Sequence, residues 1–411
     1  MIKRIVSVAL AAIIMLCSVL PLVSCNSEND SDVKTLYVYN WGEYMSDGSE
    51  GSLDSNAAFE QWYFETYGER VEVIYSTYSS NEDMYAKLSG GAVNYDVIVP
   101  SDYMIERLIK EEKLRPLNYE NIPNIKNVIP EFYGENAEYD YYDEGNVYSV
   151  PYFYGMIGII YNTTVVDKAD IGSWRLMWNE KYKGNILQFN NSRDAFGTAQ
   201  YYLGIDVNSD NETEWRAALE KLKEQKDIVQ GYVMDEIYNK MENGSAAIAA
   251  YYAGDFLTMY ENNEDLNFFY PSEGTNLYVD AMCIPKTSQN PEIAERYINF
   301  MLSEEPAVAN AEYTYYASPN KLVIENEEYI EYMSEIKEDA YEKMYALDSV
   351  DATYYKNLTP EKLALINSLW EDLKSDIEVS PTIYILCAVI IGSLVSIGLF
   401  LGIRKRIRNN Y

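Results

Sequence analysis

Aromatic rings and oxygen-bearing side chains stand together at several points where a β-type run gives way to a helix. They are Trp41-Gly42-Glu43-Tyr44, Ser101-Asp102-Tyr103, Tyr251-Tyr252 and Tyr278-Val279-Asp280, with Asn191 and Asp194 at a helix start and Tyr315-Tyr316 ahead of Pro319-Asn320. Rings cover methylene groups and present their faces to ammonium groups, worth about 0.5–2 kcal/mol per contact. Carboxylates add charge-assisted hydrogen bonds of about 1.5–3 kcal/mol each. Such a set suits a ligand that is both hydrocarbon and cation. The same residue types have plainer uses: among 41 tyrosines most serve core or surface, and an Asp after a strand also caps a helix. With no histidine among 411 residues, His-based triads, H-E-x-x-H zinc sites and imidazole bases are excluded. A formal charge of −33 argues against nucleic acid, whose binding draws on clustered Lys and Arg.

The elements that must position these residues read as alternating strands and helices from 33 to 375. Runs rich in Val, Ile and Tyr at 35–41, 71–75, 95–100, 157–162, 186–189, 246–251 and 280–285 are expected strands. Expected helices run from Ala57 to Tyr67, closed by Gly68; from Asn81 to Leu88 after Ser80; from Tyr103 to Lys113; from Arg193 to Tyr202; from Pro291 to Met301; and from Pro360 to Leu373. This alternation implies α/β architecture with parallel sheets covered by helices. About 340 residues of it exceed one sheet and suggest two lobes. Ligands of open α/β sheets sit beyond the carboxyl ends of the strands, where the aromatic and acidic residues lie.

Both ends of the chain read differently. Residues 1–24, with Lys3 and Arg4 ahead of an apolar run, have the form of an export signal. Leu22-Val23-Ser24-Cys25 resembles a bacterial lipobox, which makes Cys25 the lipidated first residue and 25–32 a polar tether. Residues 382–403 carry no charge and precede Arg404-Lys405-Arg406-Ile407-Arg408, the expected signature of a transmembrane helix with a basic cytoplasmic tail at 404–411. Its Gly392, Ser393, Ser396 and Gly398 would form a small-residue face for a membrane partner. Six of the 32 cations lie outside 26–380 and all the acids lie within, so the exported part carries about −39. Cys283 alone remains there, which rules out a disulfide framework.

Three stretches carry a resemblance: Leu36 to Tyr44, Val73 to Leu88 and Tyr95 to Tyr103. With Val150-Pro151-Tyr152, Ser192-Arg193-Asp194-Ala195-Phe196, Asp280 to Pro285 and Ser318-Pro319-Asn320, the chain resembles, in order over 34–375, the spermidine/putrescine-binding family of bacterial ABC importers. The resemblance implies a two-lobed periplasmic-binding-protein fold with a hinge, lobe 1 spanning 33–152 with 281–322 and lobe 2 spanning 153–280 with 323–375. It implies capture of a linear polyamine without catalysis or cofactor, delivery to ABC permease subunits, and no metal. The implied contacts are Trp41, Glu43, Tyr44, Ser101, Tyr103, Asn191, Asp194, Tyr251, Tyr278, Asp280 and Tyr316. Tyr251 and Tyr278 stand where the family commonly has tryptophan, Asn191 where an acid is usual, and Asp194 where the family has the longer Glu. Ser46 to Asn56, rich in Gly, Ser and Asp, is an expected surface insertion. Two other readings use the same residues: a ferric-ion or other small-solute receptor with phenolates from Tyr251-Tyr252 and Tyr315-Tyr316, and a membrane-anchored hydrolase with paired carboxylates.

Overall fold

The computed structural model describes residues 33–135 and 137–375. Strands β1 (Lys34–Trp41), β2 (Val71–Tyr78) and β3 (Val97–Ile98) run parallel. The helices Ser55–Tyr67 and Asn81–Gly90 connect them. Local chemistry sets the helix ends. Asp54 accepts from the Ala57 N–H and Ser80 from the Asp83 N–H, while Gly68 closes the first helix at φ 72°, a left-handed value that costs glycine little.

Further along, β4 (Ser149–Asn162), β5 (Ile186–Phe189), β6 (Val229–Val233), β7 (Ile248–Tyr252), β8 (Leu266–Phe269), β9 (Thr275–Cys283) and β10 (Ala352–Tyr354) complete one continuous sheet. Its order is β2-β1-β3-β9-β4-β7-β5-β6, with β10 beside β9 and β8 beside β4. The expected parallel arrangement holds for β1 with β2 and β3, for β5 with β6 and β7, and for β9 with β10, but not throughout the sheet. β9 runs antiparallel to β3 and β4, and β4 antiparallel to β7 and β8. Through Met156, β4 pairs with β9; from Ile157 onward it pairs with β7. One 14-residue strand therefore serves two sheet halves, and every residue of it is buried. Pro151, which has no N–H for the ladder, coincides with a register shift between Pro151 and Phe153.

Helices cover both halves. Ser192–Leu203 and Glu212–Lys226 meet the last described helix, Pro360–Ser375, around Phe196, Trp215, Leu222, Ile366 and Leu369. The Ser46–Asn56 insertion is a surface feature only at its tip. Ser46 and Ser55 are fully buried, bonded to each other (2.7 Å) and to Asn310 Oδ1 (3.0 and 3.1 Å).

The fold-class expectation needs one correction. The two-lobed α/β part fits, but the C-terminal transmembrane helix finds no support. No helix among the described residues is long and apolar enough to cross a membrane. Residues 382–403 lie outside the described residues, as do the export signal and Cys25.

Candidate functional site

Four strand-to-helix junctions converge on one cleft. β2 leads into Asn81–Gly90, β3 into the helix Asp102–Lys110, β5 into Ser192–Leu203 and β7 into the helix Ala253–Asn262. A helix N-terminus carries partial positive charge and by itself attracts anions. Here each first turn holds an acid facing the cleft: Glu82, Asp102, Asp194 and Asp255. Four carboxyls that ionise outweigh four partial positive charges, so the scaffold becomes a receptor for cations. Asp280, on β9 and bridged to Ser101, adds a fifth charge.

The cleft has a volume of about 790 Å³ including its open mouth. It is a narrow slot walled by ten aromatic rings, and no Lys or Arg lies among its lining residues. Tyr44 packs edge-on against Tyr316 (4.7 Å), Tyr252 against Tyr278 (5.4 Å), and Trp41 tilts on Tyr78 (4.7 Å). The Trp41 indole donates to the Val99 carbonyl (2.8 Å), which fixes its ring. Asn81 clamps Ser101 from both sides, donating to Oγ and accepting from its N–H (3.1 Å each).

Asp102, Asp194, Asp255 and Asp280 are buried, and Glu82 is half-buried. Burial pushes the Asp280 carboxyl up to about 6, moderated by the nearby Ser101 and Tyr44 hydroxyls. The same cause lifts Asp102 and Asp255 to about 7 and raises Asp194 and Glu82. Asp280 Oδ2 accepts from Tyr44 (2.6 Å), whereas its Oδ1 and the Tyr278 hydroxyl are buried without a hydrogen-bond partner. Those atoms are open valences on the slot wall. A nearby cation, Arg193, lies under Tyr355 (4.4 Å) and Tyr103 (5.6 Å), off the wall itself.

Ten of the eleven residues expected from the sequence line this slot together: Trp41, Tyr44, Ser101, Tyr103, Asn191, Asp194, Tyr251, Tyr278, Asp280 and Tyr316. Glu43 does not join them. It is exposed on a left-handed turn (φ 49°), and only its charge reaches the slot, adding to the upward push on Asp255. Asn191 caps its helix, accepting from the Asp194 N–H (2.8 Å) and donating to Asp194 Oδ2 (2.7 Å). Tyr251 stacks on Phe189 (5.5 Å), and it is Tyr252 that reaches Asp194 Oδ2 (2.7 Å).

Sequence reasoning missed Glu82 and Asp255 as wall residues, along with Tyr238 and Tyr355, and placed Asp102 in the Ser101-Asp102-Tyr103 set but not among the expected contacts. The available signal was the acid in the first turn after a strand. Two glycines also shape the wall. A Cβ on Gly254 would overlap the Tyr316 ring, 2.7 Å from Cγ, and one on Gly155 would overlap the Tyr278 hydroxyl end.

The tyrosine pairs have other partners: Tyr252 donates to Asp194 (2.7 Å), Tyr251 stacks on Phe189 (5.5 Å), and Tyr315 pairs with Tyr332 (3.0 Å). Among the described residues no group of three or more His, Cys, Asp or Glu side chains is disposed to hold a metal ion.

Comparison with known proteins agrees with this geometry. Residues 57–336 match the family described as bacterial extracellular solute-binding protein. A spermidine/putrescine-binding periplasmic protein of Salmonella typhimurium is 33% identical over 71% of this chain and 79% of its own. A solved structure described as a putative spermidine/putrescine ABC transporter from Listeria monocytogenes is 33% identical, covers 83% of this chain and 99% of its own, and superposes with a TM-score of 0.71. A lipoprotein of Treponema pallidum, 25% identical with the same coverage, gives 0.68.

Proposed function

Because the chain belongs to the bacterial extracellular solute-binding protein family, we propose that it is the polyamine-binding component of an ABC importer. It takes a linear polyamine such as spermidine or putrescine into the slot and passes it to membrane permease subunits. The family consists of solute-binding proteins, not enzymes. One observation carries the choice of ligand: four buried carboxylates and a half-buried fifth share an aromatic slot whose wall has no basic side chain. Burying carboxylates without counter-charge costs several kcal/mol each. A polyamine supplies ammonium groups at intervals along methylenes that the rings cover.

The lobes are assigned as 33–152 with 281–322 and 153–280 with 323–375. In support, β4 changes partner from β9 to β7 between Met156 and Ile157. Closure about this crossing, with Ser101 and Tyr103 on one lobe and Asp194, Tyr252 and Asp280 on the other, expels water and strengthens each ion pair. Export through the signal and lipidation of Cys25 would hold the protein at the outer face of the membrane. A Cys25→Ser variant is expected in the soluble fraction, and its retention on membranes would contradict the anchor.

Thermal melting with and without spermidine or putrescine tests the function. Several slot carboxyls stand near 6 to 7 in the folded chain against an ordinary 3.8. The folded state therefore binds more protons than the unfolded chain between about pH 4 and 7, and these groups make the empty protein lose stability as pH rises through that window. A polyamine neutralises the ionised carboxylates, and at 100 times its Kd stabilises by about 2.7 kcal/mol. The rise in Tm is expected to be larger at pH 8 than at pH 5. No rise with either polyamine, or a larger one at pH 5, would contradict the proposal.

A further inference from the structure

Five of the six carboxylates that line the slot accept a hydrogen bond from a tyrosine hydroxyl; the exposed Asp235 is the sixth. The pairs are Tyr44 to Asp280 (2.6 Å), Tyr141 to Asp102 (2.6 Å), Tyr252 to Asp194 (2.7 Å), Tyr238 to Asp255 (2.8 Å) and Tyr103 to Glu82 (3.1 Å). If the rings served only as a wall, phenylalanine would do as well. A hydroxyl does something that phenylalanine cannot: it gives a buried carboxylate a donor without cancelling its charge. The ligand then meets charges that are still negative and already oriented.

Resting on the polyamine reading of this site, we infer that Tyr238 and Tyr252 are positioning residues, which favour the ionised form of Asp255 and Asp194 and aim both into the empty slot so that ammonium groups are taken up near neutral pH. Both carboxylates have other neighbours. Asp194 is faced by Asn191 and Arg193 from its own helix, by Tyr355 from the segment after β10, and by Glu82 and Tyr103 across the slot. Asp255 is faced by Tyr316, Asp235 and Glu43, with Tyr251 and Tyr278 alongside. Around Asp255 the further charges are all acids, and these raise its carboxyl. Tyr238 is thus a principal force on the ionised side. At Asp194, Tyr252 shares that task with Asn191, Arg193 and Tyr355, so Tyr238→Phe is the sharper of the two variants.

A hydrogen bond to the ionised form lowers a carboxyl pKa, so its removal raises it. In Tyr238→Phe and Tyr252→Phe the carboxyl stays protonated to higher pH while the ring remains. The pH at which spermidine or putrescine affinity falls on acidification is expected to move up by about one unit. Affinity would be about tenfold weaker at pH 6.5 and back within about threefold at pH 8.5. Aspartate carboxyl titration of the empty protein by 13C NMR reads the same shift without ligand. A loss equal at all pH values would mean a structural role only, and an unmoved NMR midpoint would mean no role; either overturns the inference. Failure of the unmodified protein to bind any polyamine strikes the functional proposal instead, and the NMR midpoints still decide this one.

Discussion

Asp280→Asn is expected to weaken spermidine and putrescine binding by about 30- to 1,000-fold, the equivalent of about 2–4 kcal/mol for loss of one member of a buried charge pair. Asp280 sits fully among slot residues, with one oxygen held by Tyr44 and the other without a partner. That buried, unpartnered oxygen is an acceptor left for an ammonium group. Asparagine keeps the shape and a carbonyl for Tyr44 but removes the charge. The empty variant should melt no lower than the unmodified protein above pH 7, because an uncompensated buried carboxylate costs stability there. Retained affinity would remove Asp280 from its role, and a large drop in Tm with proportionate loss of binding would make that role structural.

Gly254→Ala should produce the second large effect by a steric route. Alanine ordinarily stabilises a helix by about 1 kcal/mol relative to glycine. At 254 the added methyl would overlap the Tyr316 ring at Cγ, the ring atom nearest the backbone, so rotation about χ2 cannot clear it. Overpacking of this kind costs about 1–3 kcal/mol. The expected result is a lower Tm together with polyamine binding weakened about tenfold or more, as Tyr316 is driven from its place against Tyr44. A raised Tm with unchanged affinity would show that the ring has another seat.

Much of this site was legible because its residues fall at strand ends. Trp41, Tyr44, Ser101, Tyr103 and Asp280 stand in motifs whose order along the chain is informative, and they meet in the slot. Glu43 shares a motif with Trp41 and Tyr44 but sits on a left-handed turn, a conformation that residue type alone does not announce. Glu82 and Asp255 were hidden, and Asp102 was left out of the expected contacts, for the opposite reason. An acid in the first turn of a helix is favoured by the helix dipole anywhere in a protein, so sequence cannot separate a ligand-facing acid from a capping one.

The fold shows the same limit. Seven of the ten strands were readable from Val, Ile and Tyr content and β6, β8 and β10 were not, while β4 is buried throughout and has no alternation to disclose its direction or partners. Its antiparallel crossing between sheet halves emerges only from long-range pairing. The insertion at 46–56 misled through composition: its Gly, Ser and Asp residues suggested solvent, yet Asn310, far along the chain, draws both of its ends into the core. The glycines under Tyr278 and Tyr316 carry no local signature either, because what they make room for lies over 60 residues away.

Net charge explains less of the binding than its size suggests. At about 0.15 M salt exposed charges are screened beyond about 8 Å, so the acidic surface can enrich cations near the cleft but cannot hold them. The holding is done by the few carboxylates on the slot wall. Calorimetric titration of the purified protein with spermidine and with putrescine, run near pH 7 in two buffers of different ionisation enthalpy, tests this most directly. Saturable binding with net proton release is expected, since a cation arriving beside carboxyls poised near 6 to 7 drives off their protons. Absence of saturable heat with both polyamines, or binding accompanied by proton uptake, would contradict it.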